Sequence, residues 1–257
     1  MLSYQHIYHA GNAADLHKHA LLAWIMGYLT AKDKPLSYIE THSGRGLYDL
    51  ASAEARKTAE ADTGIRQAES NGWPETNHPL MQTLADIRVR YGNNAYPGSP
   101  LIAQHFLRPG DHVHLAELHP TEYDALSTTI SGARLYHQDG FQLAHAITPP
   151  TPRRGLMLID PSYEIKSDYV TLPVFLKDIA RKWNVGILVL WYPILIDNRQ
   201  AGMLRQLEAT FPDALKSEIR FPPAKPGHGM TGSGMFIINP PWGLPDEVAR
   251  IEAYFRD

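Results

Sequence analysis

Four consecutive residues in the middle of the chain, DPSY at 160 to 163, could activate an amino group for attack. Asp160 follows the apolar run GLMLI, where a buried strand would end. An exocyclic amino nitrogen becomes nucleophilic when both of its hydrogens point at fixed acceptors and its lone pair is released from the ring. Asp160 could supply one acceptor and the Pro161 carbonyl the other, because the proline ring fixes φ. The alternative is that these two residues only terminate a strand.

The aromatic ring of Tyr163 adds a flat surface to the same segment. A base drawn out of a nucleic acid could stack on it, and such stacking contributes about 1 to 3 kcal/mol against the few kcal/mol spent in unstacking. Little proton abstraction is needed before attack, so Asp160 would orient the amine and accept its proton afterwards. This chemistry suits methyl transfer to a purine amino group.

Three other apolar runs end in residues suited to a nucleoside ligand. HSGRG at 42 to 46 would let a ligand lie against the backbone, since its glycines carry no Cβ. Glu117 ends the run HVHLA and could accept both hydroxyls of a ribose. Asp139 could accept from an adenine amino group, with Gly140 leaving room for the ring. Each feature alone is common in structural turns, but their succession along one edge of a parallel sheet indicates a binding site.

The periodicity of apolar residues predicts several helices. The first lies in DLHKHALLAWIMGYLTAKD, is mostly buried and begins near Asn12 or Asp15. Further helices are expected at 50 to 72, 80 to 91 and 99 to 107. The helices within about 48 to 95 would form a small inserted lobe, and residues 1 to 257 would otherwise form a single domain.

Short apolar runs alternate with these helices and predict the strands. They are PLSYIE, DHVHLAEL, ARLYHQ, GLMLID and VGILVLWYP. Strands that alternate with helical or loop material indicate a parallel sheet. LKSEIRF and MFIINPPW have no helix between them and predict an antiparallel hairpin at the end of the chain.

The composition indicates a globular protein and excludes several chemistries. The 257 residues are 44% hydrophobic, and the first twenty lack the basic start and apolar middle of a signal peptide, so we expect a cytoplasmic protein that does not cross a membrane. The absence of cysteine excludes disulfides, thiolate catalysis and cysteine-bound metal. The net charge of −3 requires that any nucleic acid be held by a local basic patch.

The DPSY segment resembles the DPPY motif of adenine-N6 methyltransferases that use S-adenosylmethionine. Further segments are similar, in the same order from Met1 to about Trp242, to the RlmJ family of 23S ribosomal RNA adenine-N6 methyltransferases. They are MLSYQHIYHAGNAADLHKH, THSGRG, YPGSPLIA, AELHP, DGFQ, RRGLMLIDPSYE, LWYP and GMTGSGMFIINPPW. Together these segments are far more specific than a generic dinucleotide-binding signature.

This resemblance implies a fold, a reaction and a partner. The fold is a Rossmann-like class I methyltransferase of the α/β class, with a mostly parallel seven-stranded sheet, a terminal antiparallel hairpin and a helical insertion. The reaction is methylation of the N6 amino group of one adenine in free or partly assembled 23S rRNA. S-adenosylmethionine is the cofactor and S-adenosylhomocysteine its product. The protein is expected to be a monomer without an obligate protein partner.

The resemblance also implies site residues by direct match. The cofactor-binding set is His19, His42, Ser99, Glu117, Asp139, Gly140 and Asp160. Asp160 is also the catalytic residue, and Tyr4 matches a tyrosine associated with the RNA substrate, where it joins Pro161 and Tyr163 of the motif. Ser162 departs from the family pattern by replacing a second proline, which restores a backbone donor and loosens the turn.

Two other segments imitate functional motifs. NPPW at 239 to 242 looks more like an adenine-N6 motif than DPSY does, but it follows the last strand of the hairpin, so Asn239 is expected to close the sheet. The amino-terminal histidines could suggest a metal, but they lack the spacing of a zinc site, so no metal is expected. They are His6, His9, His17 and His19.

Several basic residues are candidates for anion binding. Lys18 and His19, near a helix start, could hold the carboxylate of the cofactor together with helix N–H groups. Candidates for phosphate contacts around the pocket are Arg45, Arg153, Arg154, Lys166 and Lys225.

Three alternatives to an rRNA methyltransferase remain at this point. A DNA adenine-N6 methyltransferase would share the pocket and differ only in substrate. A catalytically inactive nucleic-acid-binding protein could keep the fold. A dinucleotide oxidoreductase is opposed by THSGRG, which lacks the GxGxxG spacing.

Overall fold

The computed structural model describes residues 5–223 and 229–256, which build a central sheet with helices on both faces. The strands are β1 (Ser37–Glu40), β2 (Leu47–Asp49), β3 (Ala95–Pro97), β4 (His112–Ala116), β5 (Arg134–Tyr136), β6 (Gly155–Ile159), β7 (Ile187–Leu195), β8 (Leu215–Arg220) and β9 (Met230–Ile238). The helices are α1 (Ala13–Thr30), α2 (Ala53–Thr58), α3 (Ile65–Ser70), α4 (Pro79–Tyr91), α5 (Ser99–Phe106), α6 (Pro120–Thr129), α7 (Gly140–Ile147), α8 (Asp168–Lys182), α9 (Ala201–Thr210) and α10 (Leu244–Tyr254).

Within this described part, the main sheet has seven strands in the order β5, β4, β1, β6, β7, β9, β8. The first five pair in parallel, and β9 pairs antiparallel with both β7 and β8. The predicted parallel sheet and terminal hairpin are therefore confirmed. Because β4, β1, β6 and β7 run in one direction, the residues that follow them all emerge at the same edge of the sheet.

Buried side chains fill two layers, one on each face of the sheet. On one face α1 packs against α4, α5 and α10, and on the other α8 packs against α7 and α9. Helix α1 begins where the sequence predicted, because the Asn12 side chain accepts a hydrogen bond from the Asp15 backbone N–H at 2.8 Å. Among the helices of the described residues, none has the length and apolar character needed to cross a membrane.

The predicted helix over residues 50 to 72 is wrong in its continuity. Helix α2 ends at Thr58, the next residue Ala59 has a left-handed φ of 54°, and a short 3₁₀ turn then leads into α3. The break brings the chain onto Gly11, whose carbonyl accepts a hydrogen bond from the Ile65 backbone N–H at 2.8 Å. A Cβ at Gly64 would lie 2.1 Å from that carbonyl oxygen, so the close approach requires glycine there.

A second, two-stranded sheet was not foreseen. Strands β2 and β3 pair antiparallel, with Tyr48 opposite Tyr96. They stand at the two ends of the segment that contains α2, α3 and α4. The pairing brings the two ends of this segment together next to the carboxyl end of β1.

Candidate active site

A cavity of about 370 Å³ lies at the carboxyl edge of the parallel strands. Its volume falls in the range of small-molecule sites. The predicted site residues that the structure describes all line it, namely His19, His42, Ser99, Glu117, Asp139, Gly140, Asp160, Pro161 and Tyr163. Tyr4 and Lys225 lie outside the described residues. The residues predicted from the strand ends and from the family resemblance therefore lie around one cavity, although they come from distant parts of the chain.

Asp160 follows β6 and is ion-paired with a residue of α1. Its Oδ2 accepts a hydrogen bond from the Lys18 Nζ at 2.6 Å, and the two side chains are only 15% and 7% exposed. No donor among the described residues contacts the other oxygen, Oδ1. A charge-assisted bond of this kind fixes the orientation of the carboxylate while leaving one oxygen available to a ligand.

Lys18 also contacts a second carboxylate. Its Nζ lies 3.2 Å from the Asp15 Oδ1. Burial disfavours its charge, but Asp160 and Asp15 outweigh that penalty and raise the pKa of Lys18. Both carboxylates already neutralise this ammonium. The contact between Lys18 and the carboxylate of a cofactor stays a prediction.

Asp15 is held by several donors although it is almost fully buried. Its Oδ2 accepts from the Gly11 backbone N–H at 2.9 Å and contacts the His6 Nε2 at 2.8 Å. Burial opposes its charge, yet His6 and Lys18 lower the pKa of Asp15 well below its ordinary value. Asp15 therefore remains an ionised carboxylate and helps to hold the Lys18 ammonium in position.

Tyr163 and Trp191 form the wall beside Asp160. Tyr163 has a φ of 56°, which is unusual for a bulky side chain, and its hydroxyl donates to the Trp191 carbonyl at 2.8 Å. Its ring is 8% exposed and packs on Tyr169 with centroids 4.8 Å apart. The Lys18 Nζ lies 5.9 Å from the centre of the Trp191 ring. The turn after β6 is thereby locked to β7.

Glu117 is held by backbone N–H groups, whereas Asp160 is held by a side chain. Its Oε2 accepts from the Gly44 N–H at 2.8 Å and its Oε1 from the His119 N–H at 2.7 Å. Burial raises the pKa of Glu117 above its ordinary value, although these N–H groups oppose the rise. Each oxygen retains lone pairs for further donors, as a pair of ribose hydroxyls would require.

Asp139 and Gly140 start α7, and their local roles are structural as well. The Asp139 Oδ1 accepts from the Gln142 N–H at 2.8 Å, which caps the helix. A Cβ at Gly140 would lie 1.8 Å from the Thr41 carbonyl oxygen. The glycine is therefore required by the close approach of the β1 turn, whereas room for an adenine ring remains a prediction.

The two histidines of the predicted cofactor set are neutral. Burial lowers the pKa of His19 to about 3 and that of His42 to about 4. The His19 Nδ1 lies 2.9 Å from the Tyr96 hydroxyl, and the His42 ring packs edge-on against Phe141. They can donate or accept single hydrogen bonds, but they bring no charge to the cavity.

Ser99 contacts the buried carboxyl group of Glu40, a residue to which the sequence patterns assigned no role. Its hydroxyl donates to the Glu40 Oε1, and the Tyr38 hydroxyl donates to Oε2 at 2.9 Å. Glu40 is fully buried, and burial raises its pKa to about 8. At neutral pH this residue is mostly protonated.

Two of the basic residues predicted around the pocket lie elsewhere. Arg154 and Arg153 precede β6, six and seven positions before Asp160, and the five-residue strand of about 16 Å lies between them and Asp160. Arg154 donates to the carbonyls of Leu29 and Lys34 at the opposite edge of the sheet, so the prediction was wrong for both arginines. The run RRGLMLID contains a whole strand, which separates its two ends.

The positions of Arg45 and Asn239 are also explained by structural contacts. Arg45 forms a bidentate pair with Glu122, with its Nε 2.9 Å from Oε2, which neutralises its charge. Asn239 donates to the carbonyls of Asn184 and Gly186, which precede β7. The prediction that Asn239 closes the sheet is confirmed, and residues 239–242 do not line the cavity.

The sequence patterns missed three residues that line the cavity or hold its lining residues in place. They are Trp191, Asp15 and Glu40. Trp191 sits in β7, one residue beyond the Ile159 to Leu190 pairing, and therefore next to Asp160. That register could have been anticipated, since LWYP follows the apolar run of the next parallel strand. The roles of Asp15 and Glu40 depend on contacts between distant segments.

Comparison with known proteins identifies the family. The model of the family described as "Ribosomal RNA large subunit methyltransferase D, RlmJ" matches residues 33–257. The Ribosomal RNA large subunit methyltransferase J of Escherichia coli (strain K12) is 40% identical over 260 residues, covering 98% of this chain and 91% of that protein. The chain belongs to the RlmJ family. The enzyme of the same name from Haemophilus influenzae is 39% identical over 264 residues, covering 99% and 92%.

Membership in the RlmJ family makes this protein an enzyme, an rRNA methyltransferase that depends on S-adenosylmethionine. A crystal structure of protein LPL1258 from Legionella pneumophila superposes with a TM-score of 0.86 at 36% identity, covering 96% of this chain and 92% of that one. A probable spermidine synthase from Corynebacterium glutamicum shares the fold alone, with a TM-score of 0.51 at 10% identity and coverage of 96% and 78%. The predicted Rossmann-like class I methyltransferase fold is confirmed.

Proposed function

We propose that this protein transfers a methyl group to the N6 amino nitrogen of an adenine in 23S rRNA, with Asp160 as the catalytic residue. The proposal rests on the positions of three carboxylates within one cavity. A carboxylate with one available oxygen, Asp160, shares that cavity with Glu117 and Asp139 at the other strand ends. In an RlmJ-family chain, this arrangement matches a methyl donor on one side and an amine on the other.

The cofactor half of the cavity would consist of residues that follow β1, β4 and β5, together with one residue of α1 and the first residue of α5. Glu117 would accept the ribose hydroxyls, and the oxygen of Asp139 that does not cap α7 would accept from the adenine amino group. His19, His42 and Ser99 would contact the remaining polar atoms. S-adenosylmethionine supplies an electrophilic methyl group when bound. The residues present fit it, since a backbone-fixed carboxylate lies where a ribose would be held.

The acceptor half would work through Asp160 and Lys18. The Asp160 Oδ1 would accept one hydrogen of the target amine and the Pro161 carbonyl the other, which directs the nitrogen lone pair toward the methyl carbon. As the nitrogen–carbon bond forms and the sulfur–carbon bond breaks, the nitrogen gains a positive charge and then gives up a proton. Asp160 would receive that proton, while Lys18 holds the carboxylate in position through Oδ2. Tyr163 and Tyr4 would contact the target base.

The remaining parts of the proposal concern organisation and partners. The enzyme would act as a monomer in the cytoplasm, where its rRNA substrate is assembled. Residues 1 to 257 would form one domain, with the lobe at about 48 to 95 as an insertion between β1 and α5. Light scattering on the purified protein tests the oligomeric state, since a dimer of twice 28.8 kDa would contradict it.

Methyl transfer from labelled S-adenosylmethionine to transcribed 23S rRNA fragments tests the reaction. We expect label in N6-methyladenosine after digestion of the RNA to nucleosides, and no label with the Asp160→Asn variant. Duplex DNA serves as the competing substrate, and preferential labelling of DNA would favour the alternative activity. Binding of RNA without transfer under any condition would indicate an inactive nucleic-acid-binding protein.

A further inference from the structure

The cavity carries an excess of negative charge that an RNA-binding enzyme must overcome. Its described lining contains eight carboxylates, at Asp15, Glu60, Glu117, Glu122, Asp139, Asp160, Glu164 and Asp168. In the same part of the lining, the side chains with a permanent positive charge are Lys18 and Arg199. Lys18 is neutralised by Asp160 and Asp15. Because phosphate affinity depends on cationic side chains, Arg199 is the lining residue able to attract RNA.

Arg199 lies at the outer end of a continuous wall. Strand β7 continues beyond the end of β6, and its alternate residues Trp191, Pro193 and Leu195 all line the cavity. Trp191 stands beside Asp160 at the inner end, and the turn with Arg199 follows Leu195 at the outer end. A base that entered along this wall would reach Asp160, and its backbone would then remain near Arg199.

The turn that presents Arg199 is fixed by the protein. Gln200 is 3% exposed, its Nε2 donates to the Asn198 Oδ1 at 2.9 Å, and its Oε1 accepts from the Leu195 N–H at 3.4 Å. The Asn198 N–H donates to the Leu195 carbonyl at 3.0 Å. Arg199 therefore projects from a defined position at the cavity mouth.

The guanidinium of Arg199 is occupied by a carboxylate that a phosphate could replace. The Arg199 Nε lies 2.8 Å from the Asp197 Oδ2, and Nη2 contacts the same oxygen. The two side chains are 43% and 50% exposed, so solvent reaches both. Exposed pairs of this kind contribute little to stability, and the planar guanidinium suits bidentate binding of phosphate as well as of carboxylate.

We propose that Arg199 binds a backbone phosphate beside the target adenine and releases Asp197 as it does so. This inference rests on the proposed rRNA methylation, since it names the residue that holds the substrate at the mouth of the same cavity. Asp197 then acts as a competitor that keeps Arg199 positioned in the free enzyme and lowers its affinity for RNA.

The test measures the dissociation constant of a labelled 23S rRNA fragment by fluorescence anisotropy between 50 and about 200 mM salt. Arg199→Gln should raise the dissociation constant about fivefold and the KM for RNA by a similar factor. It should also reduce the slope of log affinity against log salt by about one. Arg199→Lys should retain the slope, because it keeps the charge. Asp197→Asn should lower the dissociation constant, because it removes the competing carboxylate.

A matched control comes from Arg181 and Asp178, an exposed ion pair on α8 that does not line the cavity. Arg181→Gln should bind RNA and transfer methyl groups as the unmodified protein does. The inference is overturned if Arg199→Gln keeps the original affinity and slope, if Arg181→Gln shifts them equally, or if Asp197→Asn weakens binding. Failure of the unmodified enzyme to methylate any 23S rRNA fragment would instead overturn the proposed function.

Discussion

The two halves of the cavity hold their carboxylates in different ways. Glu117 and Asp139 are fixed by backbone N–H groups, all within a few residues of a strand end. Asp160 is fixed by Lys18, a side chain on a helix 142 positions away in the sequence. Backbone donors remain when side chains change, whereas the position of Asp160 depends on one other residue. Glu117 and Asp139 are therefore held by main-chain groups, one of them 73 positions away in the sequence, whereas Asp160 depends on a single side chain.

Two buried carboxyl groups near the cavity, Asp15 and Glu40, have pKa values shifted in opposite directions because their hydrogen-bond partners differ. Asp15 has an ammonium and a histidine as partners, and its pKa is lowered. Among the residues that the structure describes, the hydrogen-bond partners of Glu40 are the hydroxyls of Tyr38 and Ser99, and burial raises its pKa to about 8. Hydroxyl donors do not offset the cost of burying a charge, while a cation does.

The largest effect is expected for Asp160→Asn. The change preserves shape but removes the negative charge and turns one acceptor into a donor, so we expect the methyl transfer rate to fall about 1000-fold. The dissociation constant for S-adenosylmethionine should change by no more than about threefold, because Glu117 and Asp139 are untouched. Single-turnover kinetics and calorimetric titration measure the two quantities. Equal losses in both would place Asp160 in the cofactor half.

Lys18→Met should destabilise the fold and impair transfer together. It leaves Asp15 and Asp160 buried without their shared cation, which costs about 3 to 5 kcal/mol of unfolding free energy. Urea denaturation measures the loss. Arg66→Met, which breaks the exposed pair with Asp62, is the control and should leave the midpoint nearly unchanged. A similar midpoint for both variants would show that the buried pair does not anchor Asp160.

Glu40→Gln should change the pH dependence of stability by up to a few kcal/mol. With a folded pKa of about 8, Glu40 keeps its proton where the unfolded chain releases it, so this residue makes the protein less stable as pH rises from 4.5 to 8. Glutamine is neutral throughout and lacks this decline. The variant should therefore gain stability relative to the unmodified protein as the pH is raised from 5 to 7 and 9. Parallel curves of unfolding free energy against pH for the two proteins would contradict a protonated Glu40.

The smallest of these effects is expected for Glu117→Gln. An amide nitrogen would face the N–H of Gly44 or His119, and a charge-assisted bond to the ribose would be lost, which costs about 1.5 to 3 kcal/mol of cofactor binding. The KM for S-adenosylmethionine should rise about 10-fold or more, and considerably more than the rate falls. A rate loss without a rise in KM would contradict the ribose contact.

Sequence patterns anticipated the features that depend on local structure. The Asn12 cap, the strand ends and the hairpin follow from periodicity and turn chemistry, which involve neighbouring residues. The break at Ala59, the pairing of Lys18 with Asp160 and the distal position of Arg154 follow from contacts between distant segments. The grouping of Glu117, Asp139 and Asp160 around one cavity was therefore predictable, while the ion pair that positions Asp160 was not.

A crystal structure with S-adenosylhomocysteine tests the division of the cavity most directly. We expect the ribose hydroxyls within about 3 Å of the Glu117 carboxylate and the sulfur directed toward Asp160, whose Oδ2 still contacts Lys18. A ligand bound beyond hydrogen-bonding reach of Glu117, with its sulfur away from Asp160, would contradict the account.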